Sequence, residues 1–268
     1  MNTPKARQAA FNASSSGQWE GFSGHRQAVT SLLGLGGGRL CVLGAGNAND
    51  LDLPALLTAY REVHLVDLDA EALTRGAERQ GVLDRPSLYL HGGVDLSALL
   101  DVIGTWTPLT SIVPADLDAL AAWPAGRVAG VLPGPFERVA STCLLSPLIG
   151  NAFHALGESH TAFPLVVRAI RIGHLRLLTQ LVAPGGEAVL ITDVASTDVV
   201  PDRAGQTVER RFFHGVDPAV ILATYRDDPY LASRVTKLER LNPWRWNLHR
   251  RGYLVWAVRY EVVERPPR

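Results

Sequence analysis

The feature that most constrains this chain is a glycine turn between an apolar strand and a helix. The segment Arg39–Leu43 is short and almost continuously apolar, which is typical of a strand buried in a parallel sheet. Gly44-Ala45-Gly46 follows directly, and the apolar spacing over residues 51–60 predicts a helix. Glycines let the backbone turn sharply and leave room for a ligand. An ordinary tight connection from strand to helix, with no ligand, has the same sequence pattern. We therefore expect an α/β protein with a binding site after this strand.

Strands and helices continue to alternate along the chain, which predicts a doubly wound, mostly parallel, Rossmann-like sheet. Further strands are predicted at residues 63–66, 87–90, 136–145 and 187–192, with helices at 70–80, 116–123 and 168–182. Residues 251–263 alternate in polarity and are rich in Val, Tyr and Trp, which predicts an antiparallel edge hairpin with the run at 238–249. Prolines make residues 101–135 the least regular segment.

The N-terminal segment differs in composition from the rest of the chain. Residues 1–22 are polar and end in Trp19-Glu20-Gly21-Phe22, which suggests a mobile leader that settles onto the protein by its aromatic side chains. A helix is predicted from Ser23 until the glycines at 34–38. We interpret residues 1–36 as a lid within a single domain and residues 37–268 as the ligand-binding domain.

Composition narrows the class of partner. Apolar residues make up 47% of the 268-residue chain and charged residues 19%, as in ordinary globular proteins. Lys and Arg number 26 and so do Asp and Glu, so no net field favours nucleic acid or a membrane. Two cysteines are too few for a disulfide framework, and no segment reads as a signal peptide or membrane span, so we expect a cytoplasmic protein.

An acidic residue supports the interpretation of the glycine turn as a binding site. Asp67 closes the second predicted strand, about 20 residues after Gly44, where an acid accepts hydrogen bonds from a ribose. A nicotinamide dinucleotide site shares this geometry, but its fingerprint needs a third glycine where this chain has Asn49. The missing glycine therefore weakens the interpretation as a nicotinamide dinucleotide site.

Several short segments, in this order, resemble the motifs of class I S-adenosylmethionine-dependent methyltransferases. They are the glycine turn, Asp67, the segment Gly92-Gly93-Val94-Asp95, the segment 137–146 and the bend Pro184-Gly185-Gly186. The resemblance covers roughly residues 39–193. Two positions depart from the family pattern: Leu43 stands where many members carry an acid, and Ala48 replaces the last glycine.

The resemblance implies S-adenosylmethionine as the cofactor and assigns residues to its parts. The implied cofactor-binding residues are Gly44, Ala45, Gly46, Asn49, Asp67, Leu68, Val94, Asp95, Ser141 and Thr142. Asp67 would hold the ribose hydroxyls and Asp95 the adenine amino group. Ser141 and Thr142 would lie near the sulfonium.

Other candidate residues lie outside these motifs. Asn49, Asp50 and His25 are candidates for the amino-acid end of the cofactor, as is Arg26, because arginine binds carboxylates in a forked geometry. The predicted substrate pocket includes Trp19, Phe22 and His25, with Trp106 and Trp123 as further aromatic walls. If a base is needed, His154 is the first candidate, ahead of His160 and His214. The spacing of His and Cys predicts no metal site.

These features predict methyl transfer to an O, N or S atom of a small organic molecule, with three alternatives. An NAD(P)-dependent oxidoreductase would use the same turn, but Lys5 and Lys237 are the only lysines and cannot form a Tyr-x-x-x-Lys pair. A methyltransferase-like protein without catalysis would fit Leu43 and Ala48. RNA modification is suggested only by the stretch from Trp244 to Arg251, which reads more readily as an edge hairpin with snorkelling arginines.

Overall fold

The computed structural model describes residues 3–34, 36–198, 210–212, 214–248 and 251–264. Within these ranges the centre of the fold is a nine-stranded sheet. The strands are β1 (Arg39–Leu43), β2 (Glu62–Val66), β3 (Leu88–His91), β4 (Phe136–Thr142), β5 (Val182–Asp198), β6 (Arg210–Phe212), β7 (Val235–Arg240), β8 (Trp244–Leu248) and β9 (Arg251–Val262). The sheet order is β3-β2-β1-β4-β5-β9-β7, with β6 beside β5 and β8 beside β9.

Helices cover both faces of this sheet. They are α1 (Pro4–Ser15), α2 (Ser23–Leu33), α3 (Leu53–Ala59), α4 (Ala70–Arg79), α5 (Leu100–Ile103), α6 (Pro114–Trp123), α7 (Leu145–Leu156), α8 (Phe163–Gln180), α9 (Pro218–Asp227) and α10 (Pro229–Ala232). No helix in the described part of the chain is both long and apolar enough to cross a bilayer.

The first five strands are mutually parallel, and β9 runs antiparallel to β5. The prediction of a doubly wound sheet with an antiparallel C-terminal edge is therefore confirmed. Successive residues of β1 face opposite cores: Cys41 and Leu43 pack in one apolar cluster, Leu40 and Val42 in the other. Both faces are buried, which explains why the strand is a continuous apolar run and does not alternate.

The strands β5 and β9 extend beyond the carboxyl edge of the parallel sheet. The last residue of β4, Thr142, pairs with Ile191, whereas β5 continues to Asp198 and stays paired with β9. The hairpin of β8 and β9 pairs Trp246 with Tyr253 on this extension. The predicted hairpin run at 238–249 thus resolves into β7 and β8, with His249 outside the described residues. The extension forms a wall above the sheet edge where the glycine turn lies.

Three segments differ from their sequence-based interpretation. The leader contains a helix, α1, capped by the Thr3 hydroxyl, which accepts from the Ala6 N–H, and begun by Pro4. The sequence pattern predicts a strand up to residue 145, but β4 ends at Thr142 and α7 begins at Leu145. An apolar run of this length fits a buried strand or a buried helix equally well. The long helix α8 also begins earlier than predicted, at Phe163.

Candidate functional site

A cavity of about 510 Å³ lies over the carboxyl ends of the parallel strands. The glycine turn forms its floor, with Gly44 at φ +78° and Gly46 at φ +48°. A Cβ atom on Gly44 would lie 3.0 Å from the Cβ of Leu144, so a side chain there would press on the start of α7. Ala48 also adopts a positive φ, +50°, where the resembling family has glycine. The backbone path of the turn is therefore kept without that glycine.

The carboxylate of Asp67 closes one end of the cavity. Its Oδ2 accepts a hydrogen bond from the Gly46 N–H at 2.9 Å, and its Oδ1 accepts from the Asp69 N–H at 2.9 Å. These bonds lock the acid to the turn and leave lone pairs free on both oxygens. Burial raises the pKa of Asp67, which means that its negative charge is only partly compensated by the protein.

A second carboxylate, Asp50, lines the same cavity. Its pKa is raised to about 7, chiefly by burial and also by the nearby charge of Asp67, while a hydrogen bond from Thr142 and the charge of Arg26 act in the opposite direction. The buried Oδ1 of Asn47, also in the cavity wall, has no hydrogen-bond partner among the described residues. These acceptors favour a ligand that carries positive charge and hydrogen-bond donors.

Helix α1 forms the roof over the glycine turn. Asn47 donates from Nδ2 to the Asn12 carbonyl oxygen at 2.6 Å, and Asn49 donates from Nδ2 to the Ser15 carbonyl oxygen at 2.8 Å. Asn12 in turn donates to Asp69 Oδ2 at 3.2 Å. The side chains after the glycines thus fasten the N-terminal helix to the site, so Asn49 acts through α1 in this structure. The lid interpretation of residues 1–36 stays a prediction.

Aromatic side chains form the opposite wall. Trp246 stacks on His25 with ring centroids 4.4 Å apart, and its ring lies 4.6 Å from Phe22 and 4.9 Å from Tyr253. Burial lowers the pKa of His25 to about 4, so this imidazole is neutral at physiological pH. Its Nδ1 accepts from the Trp244 indole N–H at 3.1 Å, which leaves the ring proton on Nε2. Phe22 and His25 therefore lie in the predicted pocket.

Asp193, which the sequence interpretation missed, lies in the extension of β5 and lines the cavity. Ser146 donates a hydrogen bond to its Oδ1, and burial raises its pKa to about 6. It follows the predicted strand at 187–192 directly. The rule that sites lie at the carboxyl ends of parallel strands could have identified it. Trp246 and Tyr253 could not have been assigned in this way, because the register of the hairpin places them.

A small recess adjoins the main cavity and shares Gln8, Asp67, Leu144 and Pro147 with it. The predicted residues Leu68, Val94 and Asp95 line this recess. The Asp95 carboxylate accepts from the Ser97 N–H and hydroxyl and from the Leu100 N–H, which fixes the loop before α5. The structure thus gives Asp95 a structural function beside the predicted adenine contact.

Several predicted residues are not brought into the cavity wall. Ser141 is fully buried and hydrogen-bonds His174 at 2.8 Å, whereas its neighbour Thr142 does line the cavity. Arg26 donates to the carbonyl oxygens of Trp19 and Asn49, and its guanidinium lies 3.5 Å from the centroid of the Trp19 ring. Arg26 and the predicted pocket residue Trp19 therefore do not line the cavity, and Arg26 instead holds the turn through its bond to Asn49. Trp106 and Trp123, proposed as aromatic walls, pack against the opposite core.

Two of the three candidate histidines reach the cavity. His154 and His214 line it, and His214 also lies 3.7 Å from the Glu158 carboxylate. His160 instead accepts from the Ala162 N–H and donates to the Thr110 carbonyl oxygen, so it stabilises the start of α8. Among the described residues, no group of three or more His, Cys, Asp or Glu side chains could hold a metal ion.

Comparison with solved structures returns methyltransferases at low sequence identity. NodS, an N-methyltransferase from Bradyrhizobium japonicum in complex with S-adenosyl-L-homocysteine, is 13% identical (TM-score 0.41), covering 98% of this chain and 90% of that chain. The putative RNA methyltransferase PH1948 from Pyrococcus horikoshii is 15% identical (TM-score 0.47; 92% and 83%). The magnesium protoporphyrin IX methyltransferase ChlM from Synechocystis, with bound SAM, is 11% identical (TM-score 0.43; 92% and 80%). No family model and no curated protein matches the sequence.

The strand order decides the fold type. Parallel strands run 3-2-1-4-5, the glycine turn follows β1, an acid follows β2, and an antiparallel strand pairs with β5. The chain has a doubly wound, Rossmann-like fold of the type that the resemblance to class I methyltransferases implies. This confirms the resemblance seen in the sequence at the level of fold, while the roles of the individual site residues stay predictions.

Proposed function

We propose that this protein is a methyltransferase that transfers a methyl group from S-adenosylmethionine to an O, N or S atom of a small organic molecule. One observation carries the proposal: a single cavity joins the glycine turn, the two carboxylates Asp50 and Asp67 and the aromatic wall around Trp246. Its volume lies within the usual range for small-molecule sites, and the roof formed by α1 favours a small substrate over a nucleic acid.

The residues present fit the cofactor. The turn at Gly44, Ala45 and Gly46 gives backbone access, and Asp50 would pair with an ammonium group. Asp67 would accept from ribose hydroxyls, and the adenine ring would lie toward Leu68, Val94 and Asp95, whose recess of about 30 Å³ would have to widen to admit it. When bound, the cofactor supplies an electrophilic methyl group on a sulfonium. The protein then contributes orientation and the exclusion of water, and a dedicated base is optional.

Calorimetric titration of the purified chain with S-adenosylmethionine, S-adenosylhomocysteine and NAD tests the proposal. We expect saturable binding of the first two and none of NAD. Asp67→Ala is expected to weaken binding roughly ten- to hundredfold, because hydrogen bonds to a charged group contribute roughly 1.5–3 kcal/mol. Asp84→Ala, an exposed acid outside the cavity, is the matched control. NAD binding, or unchanged affinity in Asp67→Ala, would contradict the proposal, and cofactor binding without turnover on any acceptor would favour a binding protein.

The raised pKa of Asp50 predicts pH-dependent cofactor binding. A cationic ligand binds the ionised carboxylate, so binding must first remove the proton from Asp50 once the pH falls below about 7. We expect affinity for S-adenosylmethionine to fall roughly five- to tenfold from pH 7.5 to pH 6 in wild type.

The Asp50→Asn variant is expected to bind S-adenosylmethionine more weakly than wild type at pH 7.5. Its affinity should change much less than that of wild type between pH 7.5 and pH 6. The folded-state pKa lies above the unfolded one, so the charge of Asp50 lowers stability as the pH rises toward 7, and Asp50→Asn should unfold at the same or a higher temperature. Calorimetry at each pH and thermal unfolding check both points. An unchanged pH profile in the variant would exclude Asp50 as the titrating group.

A further inference from the structure

The cavity extends beyond the glycine turn into an aromatic chamber, defined by Phe22, Phe153, Trp246 and Tyr253. The Trp246 ring packs between Phe22 and Tyr253, with centroids 4.6 and 4.9 Å away. Phe153 reaches the chamber from α7 and is 36% exposed. Aromatic walls of this kind favour a flat ring, which packs on them by stacking or edge contacts.

The carboxylate of Asp193 lies in the same cavity, where β5 leaves β4. The Ser146 hydroxyl donates to it, and burial, together with the nearby charges of Asp193 and Asp50, raises the pKa of the Cys143 thiol. The pKa of Asp193, about 6, leaves it ionised at neutral pH. The other titratable or charged side chains that line the cavity are Asp50, Asp67, His25, His154, His214, Cys143, Tyr253 and Arg251. Of the three carboxylates that line the cavity, Asp193 is the one on β5, whose extension pairs with β9, the strand that carries Tyr253.

We infer that the methyl acceptor is the nitrogen of an aromatic amine, whose N–H donates to Asp193 while its ring lies in the aromatic chamber. This inference rests on the proposed methyl transfer and names the substrate class of that same site. The amine is neutral at physiological pH, so its lone pair is free while an N–H bonds the carboxylate.

The strength of Asp193 as a base separates this class from two others. A phenol must lose its proton before it attacks, yet a carboxylate with a pKa of about 6 is a weaker base than a phenolate. A phenolate would also add negative charge beside Asp193 in a partly desolvated cavity. An alkyl amine enters as an ammonium ion, whose lone pair is blocked and whose proton Asp193 is too weak to remove.

Methyl transfer to an aromatic amine is balanced in atoms and in charge. The nitrogen lone pair forms the new N–C bond, the S–C bond breaks with its electron pair moving to sulfur, and nitrogen becomes an arylammonium. Such an ion is acidic enough to pass its proton to the Asp193 carboxylate. Ser146, which donates to the same carboxylate, positions it.

The first experiment measures binding alone. Protein saturated with S-adenosylhomocysteine is titrated with 4-ethylaniline by ligand-observed NMR at pH 7.5. Asp193→Ala is expected to weaken this binding about fivefold, the loss of one hydrogen bond, and Asp193→Asn, whose amide oxygen still accepts, to keep it within about twofold. Asp84→Asn is the matched control. The inference is overturned if the aniline does not bind, or if Asp193→Ala binds it as tightly as wild type does.

The second experiment follows turnover with S-adenosylmethionine on 4-ethylaniline, 4-ethylphenol and 4-ethylbenzylamine. We expect N-methylation of the aniline only, with the benzylamine binding as an inhibitor. Asp193→Asn should lower kcat about tenfold or more with little change in KM, and should remove the fall in wild-type kcat below pH 6. Methylation of the phenol or the benzylamine in preference overturns the inference. Loss of S-adenosylhomocysteine binding in wild type would instead reject the proposed function itself.

Discussion

A Gly44→Ala variant is expected to bind S-adenosylmethionine roughly ten- to hundredfold more weakly than wild type. This is the largest loss of affinity that we expect from adding one methyl group to a residue of the site. Two costs combine at this position. The backbone has φ +78°, which an L-residue adopts only with strain, and the added Cβ would lie 3.0–3.3 Å from the Leu144 side chain. Relief of this contact moves either the turn or the start of α7, and both form the cavity.

Gly37 provides a matched control for the strain alone. Its φ is +75°, nearly that of Gly44, but nothing lies within 4 Å of a Cβ built there. Both alanine variants should lose about 1 kcal/mol of unfolding free energy or somewhat more from the strained backbone. Only Gly44→Ala should lose cofactor affinity. Calorimetry and thermal unfolding on the pair check this, and equal affinities in the two variants would show that the turn does not contact the ligand.

Trp256→Ala is expected to lower the free energy of unfolding by about 3–5 kcal/mol, the largest stability effect that we predict. Trp256 is 1% exposed in β9 and fills the core between the sheet and its covering helices. Its truncation leaves a cavity that a strand paired on two sides cannot close. The measurement is urea unfolding followed by circular dichroism.

Leu254→Ala in the same strand is the control for Trp256→Ala. Leu254 is 40% exposed, so its truncation should cost less than about 1 kcal/mol. Trp256→Phe should lie between the two, because it leaves a smaller cavity and removes an indole N–H that has no partner among the described residues. If Trp256→Ala unfolds as easily as Leu254→Ala, the β5-β9 extension is not part of the cooperative core.

The fold could be predicted from the sequence because its signals are local. The apolar run of β1, the glycines that follow it and the acid after β2 are each set within a few residues. Their repeated order fixes a parallel sheet, since parallel strands need a helical crossover. The helix α1 was missed because residues 1–22 have no apolar stripe, and contacts such as Asn47 to Asn12 hold it in place.

The site was predictable only in part, because only some of its residues lie in local sequence motifs. Gly44, Gly46 and Asp67 lie in local motifs, and the structure joins them through the bond from the Gly46 N–H to Asp67. Arg26 was assigned to the cofactor from its chemistry alone, yet its guanidinium is bound by carbonyl oxygens on the outer side of the turn. No sequence pattern states which side of a turn a long side chain reaches.

The sequence by itself determined the sheet, the turn and the acid after β2, because hydrophobic periodicity and glycine conformation act over neighbouring residues. Only the tertiary structure decided what faces the turn. Asp193, Trp246 and Tyr253 reach the cavity because β5 and β9 continue past the end of β4, and the register of β8 on β9 turns their side chains inward. Pairing between strands distant in sequence sets that register, so the substrate side of the site could not be read from local pattern.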